Sequence, residues 1–203
     1  MTTDSTSSRV FFRVAPCARM QRVQVLIRLA LFLAIGAVGC SSVYWLLYLV
    51  LPTIAALLIS QRGPSRYLAE DAPRLVGALR WFAAAYAYLW LLTDALPTRE
   101  GVSPVEFEVQ PSGTPTAASA MLRVLCSLPA LVILAVLSMV TAILWPLAAL
   151  SILVSQRPPT AIAELFAATL QYQLRLFAYH LSLVDLYPAS EAPATRARQS
   201  RAV

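Results

Sequence analysis

Residues 29–59 read LALFLAIGAVGCSSVYWLLYLVLPTIAALLI, and residues 124–154 read VLCSLPALVILAVLSMVTAILWPLAALSILV; neither run contains a charged side chain. As one straight helix each extends about 47 Å, against about 30 Å for the hydrocarbon core of a bilayer. That is too long for a single crossing and slightly short for two ordinary ones. Arg28 and Arg62 flank the first run, and Arg123 and Arg157 flank the second. Arginine at both ends argues that the ends share a face, so each run is predicted to fold back as a tight helical hairpin. Gly36, Gly39, Cys40, Ser41 and Ser42 supply small residues for the bend in the first run. The second offers only Ser138 and Thr141 near its middle, with Pro129 and Pro146 as kinks in the legs.

The composition agrees with a lipid-facing chain. Of 203 residues, 59% are apolar and 13% charged, with a mean hydropathy of +0.67. Soluble domains are about 45–50% apolar and about 25% charged. The excess excludes a cytosolic enzyme, a disulfide-stapled secreted domain and a disordered tail. All 16 basic residues are Arg, a compositional hint of a GC-rich bacterial genome. The formal charge of +6 is spread beside the apolar runs rather than gathered in a patch. It therefore points to anionic lipid headgroups and a cytoplasmic face, not to nucleic acid. Cys17, Cys40 and Cys126 show no metal or redox spacing and read as packing residues. Ala37-Val38-Gly39-Cys40 imitates a lipoprotein cleavage box. The apolar Val43-Tyr44-Trp45-Leu46-Leu47 that follows is not the polar tether of a mature lipoprotein.

Sliding the sequence by 95 positions superposes its halves. Val10-x-Phe12-x-Val14-x-Pro16 falls on Val105-x-Phe107-x-Val109-x-Pro111, Arg28 on Arg123, and Ser60-Gln61-Arg62-x-Pro64 on Ser155-Gln156-Arg157-x-Pro159. The offset then becomes 91, where Ala87-Tyr88 meets Ala178-Tyr179, Asp94 meets Asp185 and Pro97 meets Pro188. Apolar runs match by chance, but a polar S-Q-R-x-P in register with blocks on either side does not. The chain is therefore expected to be a tandem duplication. A disordered arm (residues 1–8) precedes a first membrane repeat (9–97); a linker (98–102) leads to a second repeat (103–188) and a disordered basic tail (189–203).

Each unit has three parts. The alternating V-x-F-x-V has the period of a strand, and two such strands can pair with each other. The apolar hairpin follows. The third part is a mixed helix, over residues 65–93 and 160–184. The first carries Glu70, Asp71, Arg74 and Arg80 ahead of Trp81, Phe82, Tyr86, Tyr88 and Trp90; the second carries Glu164, Gln171, Gln173, Arg175 and His180. An Arg or Asp at the bilayer centre costs about 2.5–3.5 kcal/mol, so both helices are placed at the membrane interface, where Trp and Tyr also sit. The fold class is thus mainly α and membrane-integral, with two crossings per unit. If the mixed helices also cross, each unit has three crossings and the repeats become inverted.

At S-Q-R-x-P, Arg80-Trp81, Ala87-Tyr88 and Leu92-Thr93-Asp94-x-x-Pro97, and again at Arg175-x-x-Ala178-Tyr179 and Asp185-x-Tyr187-Pro188, the chain resembles an uncharacterised bacterial membrane-protein family. That family is common in actinobacteria and known only as a domain of unknown function. Its pattern runs V-x-V-x-x-P, an Arg-led apolar hairpin, T-G-R-x-P, R-W-x-x-R-x-x-A-Y and L-T-D-x-Y-P-P-F. Here Ser-Gln replaces Thr-Gly, Ala84 stands where a second Arg would be, and P-P-F is absent. The resemblance covers residues 9–97 and 103–188. It implies a membrane protein and no activity.

The candidate site residues are Arg62 with Asp94 and Arg157 with Asp185. In each unit the Arg ends the hairpin and the Asp ends the next helix, so a bidentate pair would pin one to the other. The same arginines could instead hold a phosphate headgroup. Trp81, Tyr88, Arg175 and Tyr179 are candidate interface anchors. His180, the only histidine, reads as a hydrogen-bonded packing residue. Glu70 and Asp71 suit the opening turns of a helix, and Glu106 and Glu108 the solvated face of a strand. No catalytic constellation, metal-ligand spacing or phosphate-cradling loop is present, so no enzyme activity, cofactor or metal is expected. The sequence points to a non-enzymatic multi-pass accessory or scaffold protein of a bacterial plasma membrane, a possible subunit of a lipid or envelope machine. Its expected partners are membrane lipids and other membrane proteins. The alternatives are a small transporter or channel of inverted repeats and a membrane enzyme.

Overall fold

The computed structural model describes residues 10–14, 19–37, 40–95, 105–111, 113–185 and 187, with side chains between 34 and 46 outside that description. The expected bend at Gly39, the arm, the linker and the tail lie outside the described residues. The chain is mainly helical, with one two-stranded sheet. β1 (Val10–Val14) pairs antiparallel with β2 (Val105–Val109), Val10 opposite Val109, Phe12 opposite Phe107 and Val14 opposite Val105. The period-two pattern turns Val10, Val105 and Phe107 inward and leaves Arg13, Glu106 and Glu108 exposed. Phe12 and Phe107 are 95 residues apart and directly opposed. An antiparallel ladder centred on such a pair carries a local two-fold axis between them, perpendicular to the sheet.

The helices are α1 (Arg22–Ala37), α2 (Cys40–Arg62), α3 (Pro64–Arg66), a π-helical turn (Tyr67–Asp71) running into α4 (Ala72–Leu89), α5 (Ala117–Cys126), α6 (Leu128–Ser155) and α7 (Thr160–His180). Thr116 opens α5 with a capping box, its hydroxyl accepting from Ser119 N–H while the Ser119 hydroxyl accepts from Thr116 N–H. α5 and α6 are divided only at Ser127, because Pro129 has no N–H for the Leu125 carbonyl. The backbone bonds Ser127 N–H to Arg123 O and Leu131 N–H to Ser127 O carry the helix across that kink.

The second apolar run is therefore not a hairpin. α6 passes through Ser138, Thr141 and Pro146 without reversing. Neither do the ends of the first run meet. Arg28 bonds Asp94, beyond the C-terminal end of α4, whereas Arg62 bonds Asp71, at the start of α4. Residues 64–89 are about 39 Å of helix, so the two ends of that run lie a helix length apart. Among the described residues one helix, α6, is long and apolar enough to cross a membrane.

Three layers result. The sheet packs on α4 and α7, which pack side by side; α2, α5 and α6 pack on α7 and α1 along α6, and α1 and α6 reach α4 through Gln24 at Tyr88 and Trp145 at Leu89 O. α7 runs antiparallel to α6, with His180 at Ser127, and antiparallel to α4, with Trp90 against Phe166 and Tyr67 bonded to Leu181. α1 is antiparallel to α6: Met20 N–H donates to Gln156 O, and Phe32 meets Trp145 edge-on at 4.9 Å. The mixed helices are thus central, not peripheral. Gln173, Arg175 and His180, whose polarity suggested an interface, are buried. Four extra residues in the first half would turn an α-helix by about 400°, about 40° beyond one turn. The π turn at Tyr67–Asp71 lies in the segment that holds these extra residues and winds less per residue than an α-helix.

Candidate functional site

Each of α4 and α7 ends in the same turn. Leu91 (φ 59°) and Ser182 (φ 54°) take the left-handed conformation. Leu92 N–H then donates to Ala87 O at 2.9 Å, and Leu183 N–H to Ala178 O at 3.0 Å. This six-to-one closure is usually made with glycine at the left-handed position. Its use by Leu and Ser stores strain that neighbouring contacts must offset.

Those contacts come from Arg28 and Arg123. Arg28 is fully buried; its Nη2 donates to Thr93 O and to Asp94 Oδ1, both at 2.7 Å, and its guanidinium lies 4.3 Å over the Tyr88 ring. Arg123 Nη1 donates to Val184 O at 2.6 Å and Tyr179 O at 3.0 Å, and Nη2 to Asp185 Oδ1 at 2.5 Å. Its guanidinium lies 4.7 Å over Tyr179. Carboxylate, turn carbonyl and aromatic face surround one cation in both places. Asp94 Oδ2 also accepts Gln21 N–H at 2.7 Å, at the start of α1. The Tyr88 hydroxyl donates to Gln24 Oε1 at 2.5 Å.

The sequence-derived pairs are re-sorted accordingly. Asp94 and Asp185 do meet arginines, but the arginines that lead the apolar runs, not Arg62 and Arg157. Extended runs put Arg62 and Arg157 at the far ends of α4 and α7, out of reach of Asp94 and Asp185. Arg62 instead donates to Asp71 Oδ1 at 2.7 Å. Arg157 is exposed and lines a cleft of about 550 Å³ together with Thr160, Glu164, Met20, Leu91 and Leu92. Tyr88 and Tyr179 are buried beneath the clasped arginines and Arg175 is buried, while Trp81 is 62% exposed. Glu106 and Glu108 are exposed on β2, opposite Arg13 and Phe11. The missed residues, Arg28 and Arg123, share the 95-residue register of the matched V-x-F-x-V and S-Q-R-x-P blocks. That register was the available signal.

A second polar group lies inside. His180 Nε2 is 2.7 Å from Ser127 Oγ, and both residues are fully buried. Ser127 gives its one hydroxyl proton to Val124 O at 2.8 Å, so His180 Nε2–H is the donor between them. Burial, with Arg123 nearby, pushes the His180 imidazole down to about 4. A neutral imidazole donating to this hydroxyl does not activate it, so the pair packs rather than catalyses. The buried Tyr67 hydroxyl donates to Leu181 O, and desolvation raises its pKa far above the usual tyrosine range. Among the described residues no three His, Cys, Asp or Glu side chains gather as a metal set.

The outer layer presents an apolar belt. Leu26, Ile27 and Leu33 of α1, Leu49 and Leu57 of α2, Leu122 and Leu125 of α5, and Val132, Met139, Ile143, Leu150 and Val154 of α6 are exposed. Among the described residues of these helices, Thr53 donates to Leu49 O, the buried Thr141 to Leu137 O and Ser155 to Ser151 O.

Residues 117–190 match a family model described as a domain of unknown function, DUF4389. The match takes in α5, α6, α7 and the Arg123–Asp185 clasp. No curated protein and no solved structure matches the chain.

Proposed function

We propose that this chain is a non-enzymatic, membrane-embedded accessory or scaffold protein of a bacterial plasma membrane, built from two tandem copies of one module. The observation that carries the membrane reading is the belt. α6 has 28 residues, none charged, and only 17% of its most apolar window is buried. Monomeric soluble proteins rarely leave contiguous apolar patches beyond about 300–600 Å², and a row of large aliphatic side chains along a helix of about 42 Å exceeds that. The duplication is supported by the two clasps, whose members lie 95 or 91 residues apart. The scaffold reading is supported by Arg28, Arg123 and Tyr67, whose buried polar groups tie helix ends together.

The belt is tested by co-flotation of the purified chain with phosphatidylethanolamine/phosphatidylglycerol vesicles. Met139→Arg combined with Ile143→Arg is expected to cut the floated fraction at least tenfold while leaving the detergent-solubilised fold intact by circular dichroism. Equal flotation of wild type and variant overturns the reading.

A further inference from the structure

We infer that the protein enters the bilayer from one side only, with α1, α2, α5 and α6 lying along the membrane plane and the Phe12–Phe107 axis along its normal. The inference rests on the membrane reading above and adds orientation, depth and sidedness to it. The occupant of the apolar layer is then a lipid leaflet.

Polarity in this molecule changes across the helices. The outer layer exposes aliphatic side chains and turns Arg28 of α1 and Arg123 of α5 inward, onto the turns after α4 and α7; the middle layer holds buried Arg175 and His180; the third layer is a sheet exposing Arg13, Glu106 and Glu108. The sheet's position excludes an upright arrangement. Arg80 of α4 donates to Phe107 O from Nε at 3.3 Å and Nη2 at 3.2 Å. Leu89 O accepts Trp145 Nε1–H at 3.0 Å. α4 and α6 both run antiparallel to α7, hence in the same direction, and Arg80 lies about 14 Å back along α4 from Leu89. The sheet therefore lies abreast of the middle of α6. Were α6 upright, three exposed charges and two strand edges would face hydrocarbon near mid-depth, where unpaired backbone is not tolerated and each charge costs several kcal/mol. Laid flat, the same sheet faces water.

The rim fits a leaflet. Arg19 and Arg22 at one end, with Arg157, and Arg62 and Arg66 at the other are exposed, placed to meet anionic headgroups beside the buried aliphatic face. A two-fold axis along the membrane normal also exchanges these ends without moving either across the bilayer. Ser65 and Thr160, 95 residues apart and both exposed, then sit on one side.

Two measurements on the full chain test this in a variant with Cys17, Cys40 and Cys126 replaced by Ser. Ser65→Cys, Glu108→Cys and Thr160→Cys are labelled with an impermeant maleimide in spheroplasts and in inside-out vesicles. All three are expected to label in one preparation and none in the other. Ser65→Cys and Thr160→Cys labelling in opposite preparations overturns the inference. Nitroxides at Val132→Cys, Met139→Cys and Leu150→Cys, in phosphatidylethanolamine/phosphatidylglycerol vesicles, report depth by collisional accessibility. Depths equal within about 5 Å are expected; Met139→Cys near the bilayer centre with the other two near opposite interfaces overturns it. Those results leave the membrane reading standing. A chain recovered as a soluble dimer that pairs its belts overturns both.

Discussion

The carboxylate of Asp185 fills the space that a side chain on Gly113 would need. Gly113 has φ +89°, and a β-carbon built there would overlap Asp185 Oδ2. The loop before α5 is thereby locked to the turn after α7, beside the Arg123 clasp. Gly113→Ala is expected to destabilise by about 2–4 kcal/mol, from left-handed strain and from expulsion of the carboxylate. In a double-mutant cycle with Asp185→Ala, thermal unfolding in detergent should show coupling above about 1 kcal/mol. Additive losses would mean that the contact carries no energy.

The two clasps differ in how much water reaches them. Arg28 and Asp94 have side-chain exposures of 0% and 15%, against 9% and 47% for Arg123 and Asp185. Asp94→Asn takes the counter-charge from a fully buried guanidinium and leaves one carbonyl oxygen where two carboxylate oxygens served Arg28 and Gln21 N–H, so a loss of about 3–5 kcal/mol is expected. Asp185→Asn removes a screened charge from an arginine that keeps two carbonyl acceptors, and about 1 kcal/mol is expected. Chemical denaturation of both variants in one detergent reads the difference; equal losses contradict this ordering.

His180 makes stability depend on pH. Its folded pKa of about 4 lies below the ordinary 6.5, so the unfolded chain binds the proton more readily. The contribution of neutral His180 is whole above pH about 6.5 and falls as pH drops toward 4, by up to about 3 kcal/mol. His180→Gln should flatten the melting-temperature profile between pH 7 and 4.5. An unchanged slope in that variant would assign the acid sensitivity elsewhere.

Tyr67 bridges the start of α4 to the turn after α7 through its bond to Leu181 O. Tyr67→Phe leaves that buried acceptor without its donor, and a loss of about 1–3 kcal/mol is expected. Because burial raises the Tyr67 pKa, difference absorption at 295 nm between wild type and variant should show no extra phenolate below pH 11 in the folded state. A titrating step missing only from the variant would argue against a buried hydroxyl.

Much of this was local and therefore readable in the residues alone. The alternation in residues 10–14 and 105–109 gave two strands, and a lone strand needs a partner. Uncharged runs marked the apolar helices, but as short hairpin legs rather than the 28-residue helix that α6 makes, and the 95-to-91 change of offset located four extra residues in the first half, where the π turn lies. What stayed hidden was which arginine meets which aspartate. Arg62 and Asp94 share a sequence logic with Arg157 and Asp185 only if the apolar runs fold back. Side-chain periodicity is the same in a straight helix and in the legs of a hairpin; it says nothing about where the far end goes. Packing decides that: α1 lies along α6 and α2 along α5, burying one face of each run while it stays extended. Composition showed an excess of apolar over charged residues, 59% against 13%. Only the three-layer assembly, with a charged sheet abreast of the middle of α6, fixed the direction in which the aliphatic surface points.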